Sequence, residues 1–249
     1  KASSAASSAR ISDCARAWRW CTTFLIRPGP STKWYSAKRM TPAKVSRPPS
    51  TIHRPAPGRV EAPSPDDALW QDLSLRYSTP NSPLYNNPVP DSPGGIINGS
   101  LWYEITGGMQ DWNYRYLGCN DVTIELSPTK IPNEDQLPGF WGDNRESMLA
   151  YAEASHIGVQ GIVKDRTTGG PLYARVEVIG NSQAVFTDPD VGDYHRLLLP
   201  GTYDLRISAP GHKTKRKRDV VVADGEAVKL NVKLKPSPIK TDINGDGKT

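Results

Sequence analysis

Beyond His156 the apolar residues recur at every second position, and that change of period constrains the fold more than any other feature of the chain. Short alternating runs lie at 158–163, 174–179, 183–187, 194–199, 203–207, 220–222 and 228–234. They are separated by turn signals such as Thr168-Gly169-Gly170-Pro171, Asp188-Pro189-Asp190 and Pro200-Gly201. Side chains two apart on a strand share a face, so each run can bury one side and wet the other. Seven short strands at this spacing predict an all-β sandwich over 156–235.

Upstream of the switch the pattern is mixed. Pro65-Asp66-Asp67 is placed to cap a helix running through Ala68-Leu69-Trp70-Gln71-Asp72-Leu73-Ser74-Leu75. A turn-rich stretch from Tyr77 to Gly99 leads to a strand over Val122–Leu126. A second helix is expected over Phe140–Ala154, with Trp141, Met148, Leu149, Tyr151 and Ala152 marking its buried face. Residues 61–155 therefore read as an α/β domain. Strands missing from it would leave the edges of Val122–Leu126 exposed.

The first 60 residues differ again. Ser, Ala, Pro and Arg supply 33 of them, and 12 basic side chains face the single acid Asp13, so this segment carries +11 while the remaining chain carries −6. High net charge with few regularly spaced apolar residues does not repay chain entropy, so 1–60 is expected to be disordered. The positive charge belongs to that segment, which excludes reading the pI of 9.1 as the footprint of a nucleic-acid partner. No run approaches the 18 apolar residues of a membrane span. Three cysteines, Cys14, Cys21 and Cys119, form no disulfide framework or zinc knuckle. With neither an initiator Met nor an apolar signal core ahead of it, Lys1 reads as the start of a fragment.

One residue stands out chemically. Glu125 lies inside the apolar strand Val122-Thr123-Ile124-Glu125-Leu126, where a carboxylate is costly without a partner or a task. It reads either as a general base or as a salt-bridged residue at a sheet edge, and spacing alone does not decide. Tyr103, in a Gly-flanked loop, is either a mobile hydrogen-bond donor or a packing residue.

Several phrases then carry a resemblance. Gly107-Gly108-Met109-Gln110-Asp111-Trp112-Asn113-Tyr114, Glu125-Leu126-Ser127 with Leu137-Pro138-Gly139-Phe140-Trp141, and His156-Ile157-Gly158-Val159-Gln160-Gly161 stand in order. Leu198-Leu199-Pro200-Gly201-Thr202-Tyr203 and Ala209-Pro210-Gly211-His212 follow them. Over roughly Ser64–Lys235 the chain resembles the C-terminal half of a carboxypeptidase N/E-type zinc metallocarboxypeptidase followed by its transthyretin-like domain. The resemblance implies that Glu125 is the catalytic glutamate, moving a proton from the attacking water to the departing amine. It implies that Tyr103 closes over bound substrate, and that Gln110 and Thr123 line the pocket for the C-terminal side chain, commonly Lys or Arg in this group.

The family's zinc ligands do not follow. Hydrolytic zinc needs three protein ligands and an open position, here a His-x-x-Glu pair and a later His. The four histidines are His53, His156, His195 and His212, and none stands three residues before a Glu. Only His53 precedes the Glu125 strand, in a context, Ile52-His53-Arg54-Pro55, unlike the family's; it is the one zinc candidate. The oxyanion arginine and the substrate-clamping Asn-Arg pair have no matching segment either, so the chain alone is expected to be inactive. The Ala/Arg/Pro/Ser/Trp bias of 1–60 raises an off-frame reading of the missing half, which the coding nucleotides would settle.

Past Lys235 a linker, Lys235-Pro236-Ser237-Pro238, leads to Asp242-Ile243-Asn244-Gly245-Asp246-Gly247-Lys248 over the last segment, 236–249. Asp242, Asn244 and Asp246 occupy positions 1, 3 and 5 of an EF-hand-type calcium loop, and the segment resembles the start of a dockerin repeat. That implies export and possible scaffold attachment, although the loop lacks its position-12 acid and calcium should bind weakly or not at all. Lys213–Arg218 could touch anionic polymers, but reads first as a solvated loop. The function expected is removal of C-terminal, basic residues from peptides by the intact enzyme; the competing reading is a non-catalytic binding or structural module of a larger secreted protein.

Overall fold

The computed structural model describes residues 23–25, 64–86, 93–98, 108–127 and 131–237, in two units that divide between His156 and Ile157. In the first, helix α1 (Asp67–Ser78) turns Leu69, Trp70, Leu73 and Tyr77 into the core, the i, i+4, i+8 stripe that 3.6 residues per turn requires. Asp66 is its N-cap but makes no side-chain cap bond. Its carboxylate instead accepts from the Tyr114 hydroxyl at 2.8 Å, a correction to the cap expected from sequence. Helix α2 (Ser82–Tyr85) is started by Asn81, whose Oδ1 accepts from the Leu84 N–H at 3.0 Å.

Helix α3 (Met109–Trp112) runs into a π-type turn over Asn113–Leu117. Strand β2 (Thr123–Glu125) follows, and β1 (Thr23–Leu25) pairs with it in parallel, Thr23 opposite Thr123 and Leu25 opposite Glu125. The expectation of disorder throughout 1–60 is therefore corrected at these three residues. Thr23 and Phe24 are β-favouring residue types, and the run covers one edge of β2 that was expected to be bare. The rest of 1–60 lies outside the described residues.

Helix α4 (Leu137–Glu153) forms where expected but buries a different face. Trp141 and Leu149 are exposed, Met148 and Ala152 half-buried, and of the expected set only Tyr151 is buried. Asn144, Ser147 and Tyr151 point inward instead. The cause is a polar network. Asn144 Oδ1 accepts from Tyr77 Oη at 2.8 Å and from Asn81 Nδ2 at 3.0 Å, while its own Nδ2 donates to the Phe140 carbonyl at 2.7 Å. An amide with three hydrogen bonds is stable inside a helix pair, where hydrophobicity alone would place an apolar side chain.

The second unit is a β-sandwich of two four-stranded sheets. One holds β3 (Val159–Asp165) at its centre, flanked by antiparallel β6 (Asp193–Arg196) and by the parallel β9 (Val228–Lys229) and β10 (Val232–Leu234). The other has the order β5 (Ala184–Phe186), β4 (Arg175–Val178), β7 (Gly201–Ser208), β8 (Lys215–Val222). Val159, Val163, Tyr194, Val232 and Leu234 from the first meet Val176, Val178, Val185, Leu205 and Ile207 from the second in one core. Each fully buried aliphatic side chain there contributes roughly 1.5–3 kcal/mol.

The strands number eight, not seven, because the expected run 228–234 breaks at Leu230-Asn231. Gly161 of β3 faces Tyr194 on one side and Leu230 on the other; a Cβ at Gly161 would stand 2.1 Å from the Leu230 carbonyl oxygen. Across this gap Tyr194 Oη donates to the Leu230 carbonyl at 2.8 Å. The Ile162 N–H is taken instead by Asn231 Oδ1 at 3.0 Å. The strand thus keeps its register while two ladder groups change partners.

A second junction holds the end of β10. The Arg166 N–H donates to the Leu234 carbonyl and the Lys213 N–H to that of Lys235, each at 2.8 Å. Beside them His212 Nε2 lies 2.7 Å from Asp165 Oδ2 and Nδ1 lies 2.8 Å from the Pro210 carbonyl. Both neighbours only accept, so the doubly protonated ring satisfies both. The Asp165 hydrogen bond, with the Pro210 carbonyl next, raises the His212 pKa above its ordinary value. The Thr168 N–H first, then His212, hold Asp165 down at about 2.

Two outcomes are expected. Tyr194→Phe strands the Leu230 carbonyl and should cost about 1–2 kcal/mol in urea unfolding, while Gly161→Ala, which cannot fit without parting the strands, should cost more. For the His212–Asp165 pair, a raised His pKa stabilises fully below the unfolded value near 6.5 and is lost as pH rises through the folded one. The depressed Asp165 acts oppositely, lost only as pH falls toward about 2. The melting temperature should fall on the alkaline side, and His212→Gln should remove that fall.

Candidate active site

Strand β2 carries the residues singled out by the sequence. Thr123 and Glu125, two apart, project from the same face, while Ile124 turns to the opposite one and is buried. Glu125, at the strand's last position, is 8% exposed, and its Oε2 has no accessible surface. An ionisable carboxyl held that deep is costly to keep without a partner or a task.

The strand's entry is fixed by buried polar contacts around Asp121, which sequence reasoning passed over. Asp121 is fully buried, and its Oδ2 accepts from Asn113 Nδ2 at 3.0 Å. Gln110 Nε2 reaches the Asp121 carbonyl at 3.5 Å, the outer limit of a hydrogen bond, and Tyr151 Oη donates to the Asn120 carbonyl at 3.1 Å. Burial pushes the Tyr151 phenol well above its ordinary range, with the Asp121 charge adding to it. The π-type turn ends at Gly118 in the left-handed region, and the Cys119 N–H donates back to the Asn113 carbonyl at 3.1 Å. The available signal was Asp121 itself, an acid directly before an apolar strand. A second brace, Trp70 edge-on to Tyr114 at 5.4 Å, joins α1 to the same turn.

Gln110 and Thr123 are thus brought to adjoining stretches of chain, Gln110 by its bond to Asp121 and Thr123 two residues farther on, beside Glu125. Tyr103 lies outside the described residues, as do His53 and the calcium-loop residues Asp242, Asn244 and Asp246. The turn ahead of Tyr103 is anchored by Gly95, whose φ of 70° and close approach to the Leu84 carbonyl admit no side chain.

The described residues do not fit a hydrolytic zinc. Among them no group of three or more His, Cys, Asp or Glu side chains is placed to hold a metal ion. His212 is committed to Asp165 and Pro210, and His195 lies 3.8 Å from Asp193 within the sandwich. What this part of the chain supplies is a buried carboxylate, a hydroxyl on the same strand face and a nearby amide. Such a set can move a proton and hydrogen-bond a polar substrate.

Comparison with known proteins finds two families along the chain. A family described as zinc carboxypeptidase matches residues 31–147, starting ahead of the composition boundary at 61, and one described as carboxypeptidase regulatory-like domain matches 158–235. Carboxypeptidase D of Homo sapiens is 42% identical over 193 residues, covering 74% of this chain and 14% of that protein. The carboxypeptidase N catalytic chain of Homo sapiens is 38% identical over 180 residues, covering 72% and 39%, and carboxypeptidase M of Mus musculus 38% over 155 residues, covering 60% and 35%. The chain spans at most about two fifths of the length of these relatives. With matches to both domains in order, the chain belongs to the zinc carboxypeptidase family and is homologous to carboxypeptidases D, M and N, its β-sandwich being a carboxypeptidase regulatory-like domain.

Proposed function

We propose that residues 61–155 carry the proton-transfer and side-chain-pocket half of a metallocarboxypeptidase site, and that the intact enzyme removes basic residues from the C-termini of peptides. The observation that carries the reading is Glu125, a carboxyl 8% exposed at the end of a strand inside the segment matched to zinc carboxypeptidases. Its role is to take a proton from the attacking water and return it to the departing amine. Thr123, on the same strand face, and Gln110, held toward Asp121, border the side-chain pocket; Tyr103 closes over the substrate.

The chain alone is inert in this reading. Zinc supplies the Lewis acid in the intact enzyme, and the groups that would hold it, with the oxyanion arginine and the carboxylate clamp, have no counterpart in the sequence apart from the single candidate His53. The loop at Asp242, Asn244 and Asp246 supports export and attachment to a scaffold protein, with calcium bound only by a completed repeat. No helix among the described residues is long and apolar enough to cross a membrane.

The test is metal analysis of the purified chain together with hydrolysis of a dipeptide ending in Arg, beside a Glu125→Gln variant. The expected result is less than a tenth of a zinc per chain and no turnover above the buffer rate, on the order of the lower bound of detection. Stoichiometric zinc, with hydrolysis reduced about 10²-fold or more by Glu125→Gln, would overturn the inert reading while establishing the role of Glu125. Zinc and hydrolysis indifferent to Glu125→Gln would overturn both.

A further inference from the structure

The basic run Lys213–Arg218, read from sequence as a loop, is mostly strand. Lys215–Val222 form β8, which closes one edge of the β5-β4-β7-β8 sheet with no strand beside it among the described residues. Lys213, Lys215, Arg216 and Arg218 are exposed and Lys217 is half-buried. None of the five has an ion-pair partner among the described residues.

Register makes the excess charge specific. Arg216 stands opposite Arg206, and Arg206 opposite Glu177. Glu177 accepts from Arg206 Nε and Nη2 at 2.8 and 2.9 Å and pairs with Arg175 at 2.7 Å, so its charge is already shared between two guanidinium groups. Like charges directly opposite destabilise a sheet. Arg216 therefore adds a cation to a row that holds no free anion. Lys215 and Lys217 project from the other face of the same strand.

A flat anionic surface would meet the cations of one face only. A chain laid beside β8 in the plane of the sheet meets both faces at once, and it also satisfies the outward main-chain groups of the edge. The same cations repel a second copy of β8, so the edge is closed to self-pairing and open to opposite charge. The bulge at Arg218-Asp219, where Asp219 has φ 55° and its N–H donates to Asp204 Oδ1 at 3.0 Å, ends the regular edge on one side, and the Lys213 N–H bond to the Lys235 carbonyl closes it on the other, which limits the docking stretch to Lys215–Lys217. We propose that β8 docks an extended acidic peptide segment of a partner protein as a fifth strand, its carboxylates alternating between Lys215 and Lys217 on one face and Arg216 on the other.

The experiment uses the full chain and two amidated hexapeptides at physiological ionic strength, Thr-Val-Glu-Glu-Glu-Val, whose consecutive carboxylates reach both faces of a strand, and its counterpart with Lys in place of each Glu. Binding is followed by calorimetry, and hydrogen exchange is followed at the β8 amides. The Glu peptide should bind and the Lys peptide should not, with exchange slowed along Lys215–Lys217. Charge reversal at Lys215 and Lys217 together, or at Arg216 alone, should each weaken binding about tenfold or more, about 1.4 kcal/mol. Arg216→Gln, which removes the charge without adding one, should weaken it in the same direction, and circular dichroism confirms that each variant folds. Absence of Glu-peptide binding would overturn the proposal. So would binding that survives reversal of either face, or binding matched by a sulfated polysaccharide with no slowing of β8 exchange, which would mark a polyanion patch instead.

Discussion

The sandwich depends on the close approach of β3 to its parallel neighbours at Gly161. Strand β3 opens the domain, and β9 and β10 end it, so this contact ties the first strand to the last. With no side chain at Gly161, the Leu230 carbonyl comes within a distance no Cβ would permit, and Tyr194 reaches it from the opposite neighbour. One phenol and one amide, Tyr194 and Asn231, then restore the hydrogen bonds that the approach disturbs. Core alternation on both sheets follows from this register, since a slip of one residue would turn Val159 and Val163 outward.

Period and turn chemistry made this domain legible from sequence, strand by strand. What they did not show was the break at Leu230-Asn231, because 228–234 reads as continuous alternation and the cause lies in a glycine some seventy residues earlier. A similar blindness affected α4. Apolar residues at helical spacing marked Trp141 and Leu149 as inward, yet the helix turns Asn144 and Ser147 to α1. Hydrophobic pattern cannot register an amide whose three hydrogen bonds come from Tyr77, Asn81 and the Phe140 carbonyl. At Thr23–Leu25 a strand formed inside a segment whose composition argued against order, through parallel pairing with β2.

The basic strip was visible as charge but not as structure. Alternating cations lack the apolar period that identifies a buried strand, so Lys215–Arg218 looked like a loop. An edge strand faces water with its main chain, and there the usual rule inverts: lysine and arginine are the residues that keep such an edge from pairing indiscriminately. The bulge at Asp219 adds a local twist to the same end. Charge and bulge together make the edge selective.

In the first unit the anomaly of Glu125 was readable, since a lone acid in an apolar strand has few explanations. The machinery that places it was not. Asp121, Asn113 and Gln110 fix the start of β2, and Asp66 and Trp70 hold the turn before it through Tyr114. These are buried polar contacts, each costly to break on one side only. The position of Glu125 is therefore set from behind, by groups that need no metal to be satisfied. A carboxylate fixed in this way keeps its place without a metal beside it, and the similarity to carboxypeptidases extends over a stretch of chain among whose described residues no group of three or more His, Cys, Asp or Glu side chains is placed to hold a metal ion.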